Sequence, residues 1–299
     1  MRVTARVNTL DRAIYSTVAY RDIFHFPVTL GEIHRYLHGV RCSPEEVLAA
    51  LSSSPLLERH LESDGEFFAL RGRAATFAIR TERRALSEAQ WPTARRFARF
   101  LATLPNVRMV AMTGSLAAGN FPPDGDIDFL LVTDAGTMWR TRALCRLLAL
   151  LDEKLRRGLF CPNTFLSAAA LPLTRHSLYD AQELSQMIPL HGLAEYRTVR
   201  AANAWTAEWL PNALGAPEQA EDNPPYSHGL KCAAEAVLAG GLGRALESLE
   251  ANRKIRRFNE TDRLKGAWTR STRDAHSMWD EMRLKIEAAW RERLDAIGE

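Results

Sequence analysis

Apolar residues recur at helical spacing near the N-terminus, change to strand-like runs, and return to helical spacing further on. Ile14, Val18 and Ile23 define a first helix that Pro27 stops. Thr29 and Glu32 form a capping box ahead of a second helix carrying Leu30, Ile33 and Leu37. Ser43, Pro44 and Glu46 repeat that device ahead of Val47, Leu48 and Leu51. "LLERHLESDGEFFAL" then reads as two strands around an Asp64-Gly65 turn. Residues 73–105 predict a helical segment with a break at Pro92. "RMVAM" and "IDFLLV" are short apolar strands flanking a loop. Leu144, Leu147, Leu148, Leu151 and Leu155 mark a helix, and "TFLSAAAL" a further strand. Helices follow over 178–188 and 193–210, the latter stopped by Pro211. "PNALGAPEQAEDNPPYS" has the composition of a linker. The remainder is helical, with Trp279, Met282, Ile286 and Trp290 on one face of the last helix.

Composition adds little to this division. The 299 residues are 46% hydrophobic and 25% charged, which suits a globular chain of about two domains. A net charge of +3 argues for neither a nucleic-acid nor a membrane partner. Cys42, Cys145, Cys161 and Cys232 show neither disulfide nor zinc spacing, and His25, His176, His191 and His276 show no metal-ligand spacing. The start lacks an apolar signal core and no run suits a bilayer span, so a cytoplasmic protein is expected.

The richest chemistry lies in "VAMTGSLAAGNFPPDGDIDFLLV". Gly114 permits a tight turn, and Ser115 begins a segment whose backbone N–H groups can face a phosphate. Asp126 and Asp128 flank Ile127, so an extended strand turns both carboxylates to one side. Like charges so close are costly without a cation, and hard oxygen ligands suit Mg²⁺. A lone Asp-x-Asp would read as a solvated turn; here Asn120 to Gly125 alone reads as plain loop.

This string resembles the Gly-Ser, spacer, Asp-hydrophobic-Asp signature of the polymerase-beta-like nucleotidyltransferase superfamily. The strand, loop, strand, helix, strand order extends the likeness over 108–170. The resemblance implies an α+β fold, a mixed sheet with flanking helices. It also implies an NTP, ATP foremost, on Gly114 and Ser115, and two Mg²⁺ ions on Asp126 and Asp128. Many members carry a third carboxylate on the strand after the helix, where "FCPNTFLS" has only Asn163. Asn163 is then a weaker metal ligand, and the missing catalytic acid is sought on the next helix, at Glu183 first and Asp180 second. The expected activity is NMP transfer to an unidentified hydroxyl acceptor with release of pyrophosphate. The alternative is a non-catalytic nucleotide- or nucleic-acid-binding regulator on a degenerate domain of this kind.

The expected layout is a winged-helix-like domain over 1–72, a connecting helical segment over 73–105 and the transferase domain over 106–210. A linker over 211–227 and a helical region over 228–299 complete it. DNA binding by the first segment is not favoured, because its third helix carries Glu45 and Glu46 and no basic residue, and the hairpin carries Glu62, Asp64 and Glu66. Eight arginines between Arg71 and Arg99 read as a solvated helix face ahead of a phosphate groove. Arg140, Arg142 and Arg146 suit either a phosphate contact or the surface.

Overall fold

The computed structural model describes residues 2–154, 159–264, 272, 275–277 and 279–295. Helix α1 (Arg2–Asp22) leads into α2 (Leu30–Arg35) and α3 (Pro44–Ser53), both closed by the expected capping boxes at Thr29 and Ser43. A helix that the alternation had concealed follows, α4 (Pro55–His60). Its cap is Ser54, whose side chain accepts from the Leu57 N–H, with Pro55 at the first position. The strand pair is correspondingly short, β1 (Leu61–Ser63) against β2 (Phe68–Leu70), with Val28 bridging to Phe68. Ile14, Val18, Val28, Ile33, Leu37, Val47, Leu57 and Leu61 make a core for this helix-and-hairpin unit.

Helix α5 (Ala75–Thr103) runs through Pro92 without the expected break. Proline deletes one N–H bond, yet the turns on both sides are anchored. Arg80 and Ser87 are buried before it, and Ala94, Ala98 and Leu101 pack on the sheet after it. The expected solvated arginine face holds for Arg71, Arg95 and Arg96, which are exposed, and Arg84 and Arg95 carry surface ion pairs with Glu66 and Glu221; Arg80 departs from it. Arg80 is 4% exposed, paired with Glu32 at 2.7 Å, stacked over Phe26, and donating to the Gly119 carbonyl. Arg83 donates to the Phe24 carbonyl and to Asn120. These cations tie the first unit to the loop after Gly114.

Strand β3 (Val107–Thr113), the single turn α6 (Gly114–Ala117), β4 (Ile127–Thr133), α7 (Met138–Lys154) and β5 (Phe160–Ser167) follow. The strand expected at 164–171 lies at 160–167, because Ala168 and Ala169 turn away. On α7 Met138, Trp139, Thr141, Cys145 and Ala149 are buried and Leu148 packs against the same core, while Leu147 is exposed, so the packed face only partly follows the leucine stripe. Leu155 lies outside the described residues. Helix α8 (Leu178–Gln186) stops before β6 (Ile188–His191), a strand that the sequence pattern did not predict between the two helices. The run expected as one helix to 210 divides into α9 (Leu193–Ala202) and α10 (Thr206–Trp209). Beyond 211–227 lie α11 (His228–Leu238), α12 (Gly241–Leu264), β7 (Ala275–Ser277) and α13 (Trp279–Asp295).

The strands form one mixed sheet in the order β6-β3-β4-β5-β7, parallel between β4 and β5 and antiparallel elsewhere. Alternate residues of β4 serve different layers, because a strand has period two. Ile127, Phe129 and Leu131 face α5, α7 and α12; Leu130 and Val132 face α8, α9 and the α13 residue Ile286. Both faces are covered, which explains why "IDFLLV" is almost wholly apolar. Among the described residues no helix is long and apolar enough to cross a membrane.

Candidate functional site

The end of β3 and the start of β4 lie side by side, with Thr113 opposite Asp128. The residue after Thr113 therefore passes directly beneath the Asp128 carboxylate. Gly114 meets this demand: its φ is +65°, and a Cβ built there would stand 2.3 Å from Asp128 Oδ2. No larger residue fits both that conformation and that contact.

On the other side β4 pairs in parallel with β5, and Asp128 lies beside Cys161. The register then slips: Phe129 faces Pro162 and Leu130 faces Thr164, leaving Asn163 as the extra residue of a bulge. Pro162 has no N–H to give the ladder, and a bulge re-aims the side chain it carries. Asn163 Nδ2 donates to Asp128 Oδ1 at 3.0 Å. Its own Oδ1 is buried and has no hydrogen-bond partner, as is Thr113 Oγ1. The amide is oriented by charge, since turning it over would set oxygen against carboxylate.

Asp126 is exposed and Asp128 half-buried. Asp126, Asp128 and Cys161 each offer a ligand atom, and those atoms lie within 4.8 Å of one another. Burial, and then the charge of Asp126, push Asp128 up to about 7, against hydrogen bonds from Cys161 and Asn163. Burial and the two aspartates also push the Cys161 thiol upward. Clustered oxygens whose negative charge is resisted, next to an orphaned amide oxygen, fit a divalent cation.

Glu183, far away in sequence, belongs to the same cluster. Helix α8 covers the face of β4 from which Asp128 projects, and Ser177 with Asp180 caps its start. Asp180 is thereby engaged with Ser177 Oγ at 2.7 Å, one turn before Glu183. Glu183 accepts from the Gly114 N–H, and burial followed by the charges of Asp128 and Asp180 raises it to about 8, against Arg21 and that N–H. Gly114, Ser115, Asp128, Cys161, Asn163 and Glu183 share one cavity of about 440 Å³. Asp126 stands at the cluster without lining that cavity.

Other candidates lie elsewhere. Arg140 binds the Leu238 carbonyl and Asn106, and Arg142 stacks over Phe258, so both face the C-terminal helices rather than the cavity. His25 meets Arg73, His176 stacks on Trp205, and His191 bonds the Asn223 carbonyl. The side chain of His276 lies outside the described residues. Asn120 is no plain loop residue: it is 7% exposed and bound to Phe24 and Arg83. Met282, expected in the packed stripe of α13, is 54% exposed and edges the cavity beside the buried Ile286. Sequence reasoning missed Cys161 and Arg21 as members of the site. Parallel pairing of the strands would have indicated Cys161, but no local pattern indicates Arg21.

Residues 94–157 match the family model described as a nucleotidyltransferase domain. No curated protein and no solved structure matches the chain. The matched segment includes Gly114, Ser115, Asp126 and Asp128, and ends before Cys161, Asn163 and Glu183.

Proposed function

We propose, from the premise that this chain carries a domain of the polymerase-beta-like nucleotidyltransferase superfamily, that it transfers an NMP from an NTP, with ATP foremost, to a hydroxyl acceptor. The observation that carries the reading is the convergence of Asp128, Glu183 and Gly114 from separate elements onto one cavity. Asp126 and Asp128 would hold Mg²⁺, two ions by the family's pattern, with Asn163 Oδ1 as a neutral further donor and Cys161 alongside. Bound there, the metal supplies charge neutralisation and alignment for in-line phosphoryl transfer.

The chain's own groups perform the remaining tasks. Ser115, at the cavity wall, binds the phosphates. Glu183, raised to about 8, titrates near neutral pH, the range in which a general base works, and it takes the proton of the acceptor hydroxyl. Its carboxylate occupies the role left open by Asn163 on β5. The N-terminal helices and hairpin are a winged-helix-like packing module rather than a DNA reader. Their cavity-side residues brace the loop after Gly114, and α3 begins with Glu45 and Glu46.

Labelled-NMP incorporation or pyrophosphate release, screened over small hydroxyl compounds, tests the proposal. Asp126→Ala and Asp128→Ala should each abolish the signal; activity equal to the unmodified protein would refute it. The replacement of a strand acid by Asn163 motivates a second reading, a nucleotide-binding regulator without turnover. Calorimetry showing metal-dependent NTP binding, with no transfer across the acceptor screen, would favour that reading.

A further inference from the structure

Arg21 sits in the wall of the same cavity, on α1 and outside the matched domain. It is 4% exposed. Its fork is held by two neutral acceptors, Nη1 on Gln186 Oε1 at 2.7 Å and Nη2 on Gln182 Oε1 at 2.9 Å. The guanidinium lies over the rings of Tyr36 and Phe26, at 4.6 and 5.7 Å from their centroids. Nε is buried without a partner. Among the described residues Arg21 makes no ion pair. Glu183, whose titration its charge affects, is hydrogen-bonded to the Gly114 N–H instead. Arg80, 3.9 Å from the centroid of the same Phe26 ring, adds a second cation, and that one is balanced by Glu32.

A buried charge whose hydrogen bonds go only to amide oxygens is expensive even with Glu183 close enough to feel it, and α1 could have carried an apolar residue there at lower cost. The charge is rational if a ligand completes the pair. Two glutamines fix the fork, and planar guanidinium geometry matches carboxylate and phosphate. The remaining wall is apolar and largely aromatic, from Tyr20, Phe24, Tyr179 and Ile286. A volume of about 440 Å³ is that of a small-molecule site.

We infer that the cavity takes an anionic acceptor: a small hydroxyl compound with a planar or apolar body, whose carboxylate or phosphate pairs with Arg21 while its hydroxyl reaches Asp128 and Glu183. This rests on the transferase reading for the hydroxyl end alone. The competing source of the anion is the NTP itself, through a terminal phosphate, and the test separates the two.

Equilibrium binding to the full chain would be measured by intrinsic fluorescence for benzoate and phenyl phosphate, for neutral benzamide, and for a nonhydrolysable ATP analogue with Mg²⁺. The aryl anions should bind about tenfold or more tightly than benzamide. Arg21→Met should erase that preference, and Arg21→Lys should restore part of it. Neither substitution should change affinity for the ATP analogue, with folding checked by circular dichroism. Equal binding of benzoate and benzamide to the unmodified protein would overturn the inference, whether or not the variants fold. So would no measurable aryl-anion binding at millimolar concentration, or an Arg21→Met effect confined to the ATP analogue. Arg21-dependent anion binding without any NTP binding would remove the transferase reading and leave the anion site standing.

Discussion

Asp128 and Phe129 are chain neighbours on β4, yet they project into differently built halves of the molecule. On the Phe129 side, apolar groups meet apolar groups: Phe97 and Phe160 lie 6.5 and 5.8 Å from the Phe129 ring, and Ala94, Ala98 and Leu101 fill the remainder. The Asp128 side is just as apolar at Leu130 and Val132, but towards the start of the strand it gathers two aspartates, a glutamate, a thiol and an orphaned amide oxygen. One layer therefore supplies stability, and the other spends some of it on electrostatics that ligands would relieve. A single peptide bond separates the two roles.

Substitutions can break that contrast. Phe129→Ala should cost about 3–5 kcal/mol, read from denaturant unfolding, because it empties a filled core. Asp128→Asn should do the reverse. It removes a resisted charge, so the metal-free protein should melt a few degrees higher, while NMP transfer falls roughly 10²–10³-fold. If both variants lose stability equally, the division between faces is wrong.

Gly114→Ala sharpens the comparison next. A positive φ together with a Cβ 2.3 Å from Asp128 Oδ2 should cost on the order of 1–3 kcal/mol. In Gly114→Ala/Asp128→Ala the penalty should be smaller than the sum of the single changes, because the Oδ2 and Cγ clashes are gone and only the 3.2 Å contact with the Cβ at 128 and the backbone strain persist. Additive unfolding energies would mean that the contact is not what demands glycine.

The pH dependence has a definite sign. Asp128 and Glu183 are raised to about 7 and about 8, so the folded state holds their protons more firmly than the unfolded chain does. Their contribution is most favourable below the ordinary carboxylate range near pH 4 and is lost as pH rises through 7 to 8. Melting of the metal-free protein should drop by a few degrees between about pH 4 and 8, and millimolar Mg²⁺ should flatten the slope. A metal-independent slope would contradict the cation site. The smallest effect belongs to Arg95→Ala, which removes an exposed bidentate pair with Glu221 and should cost about 0.2–1 kcal/mol with no change in transfer.

The half of the site that is local in sequence was legible there. Gly114 and Ser115 lie in one turn, Asp128 on β4 and Asp126 just before it, where period two and glycine chemistry act over a few residues. Glu183 was reachable as an acid on the next helix, but its position against the Gly114 N–H depends on α8 covering one face of the sheet. Arg21 was invisible, since nothing near it in sequence marks a buried cation. Misread elements share a cause. β6 is four residues long and contains proline, and α4 sits in an alternating stretch that also satisfies a strand pattern. In both cases tertiary pairing outweighed the local signal. The helix through Pro92 and the inward arginines likewise reflect long-range anchoring.

The stretch around Glu221 to Asn223 lies along β6, with the Glu221 N–H on the Pro189 carbonyl and the Asn223 N–H on that of Leu190. β6 is one of the sheet's two outermost strands, and a bare outermost strand is a template for another chain. The proline-rich segment thus acts as a stopper carried by the molecule itself. A version trimmed of it would keep every residue of the candidate site and yet begin to associate with its own copies, a change that light scattering would register.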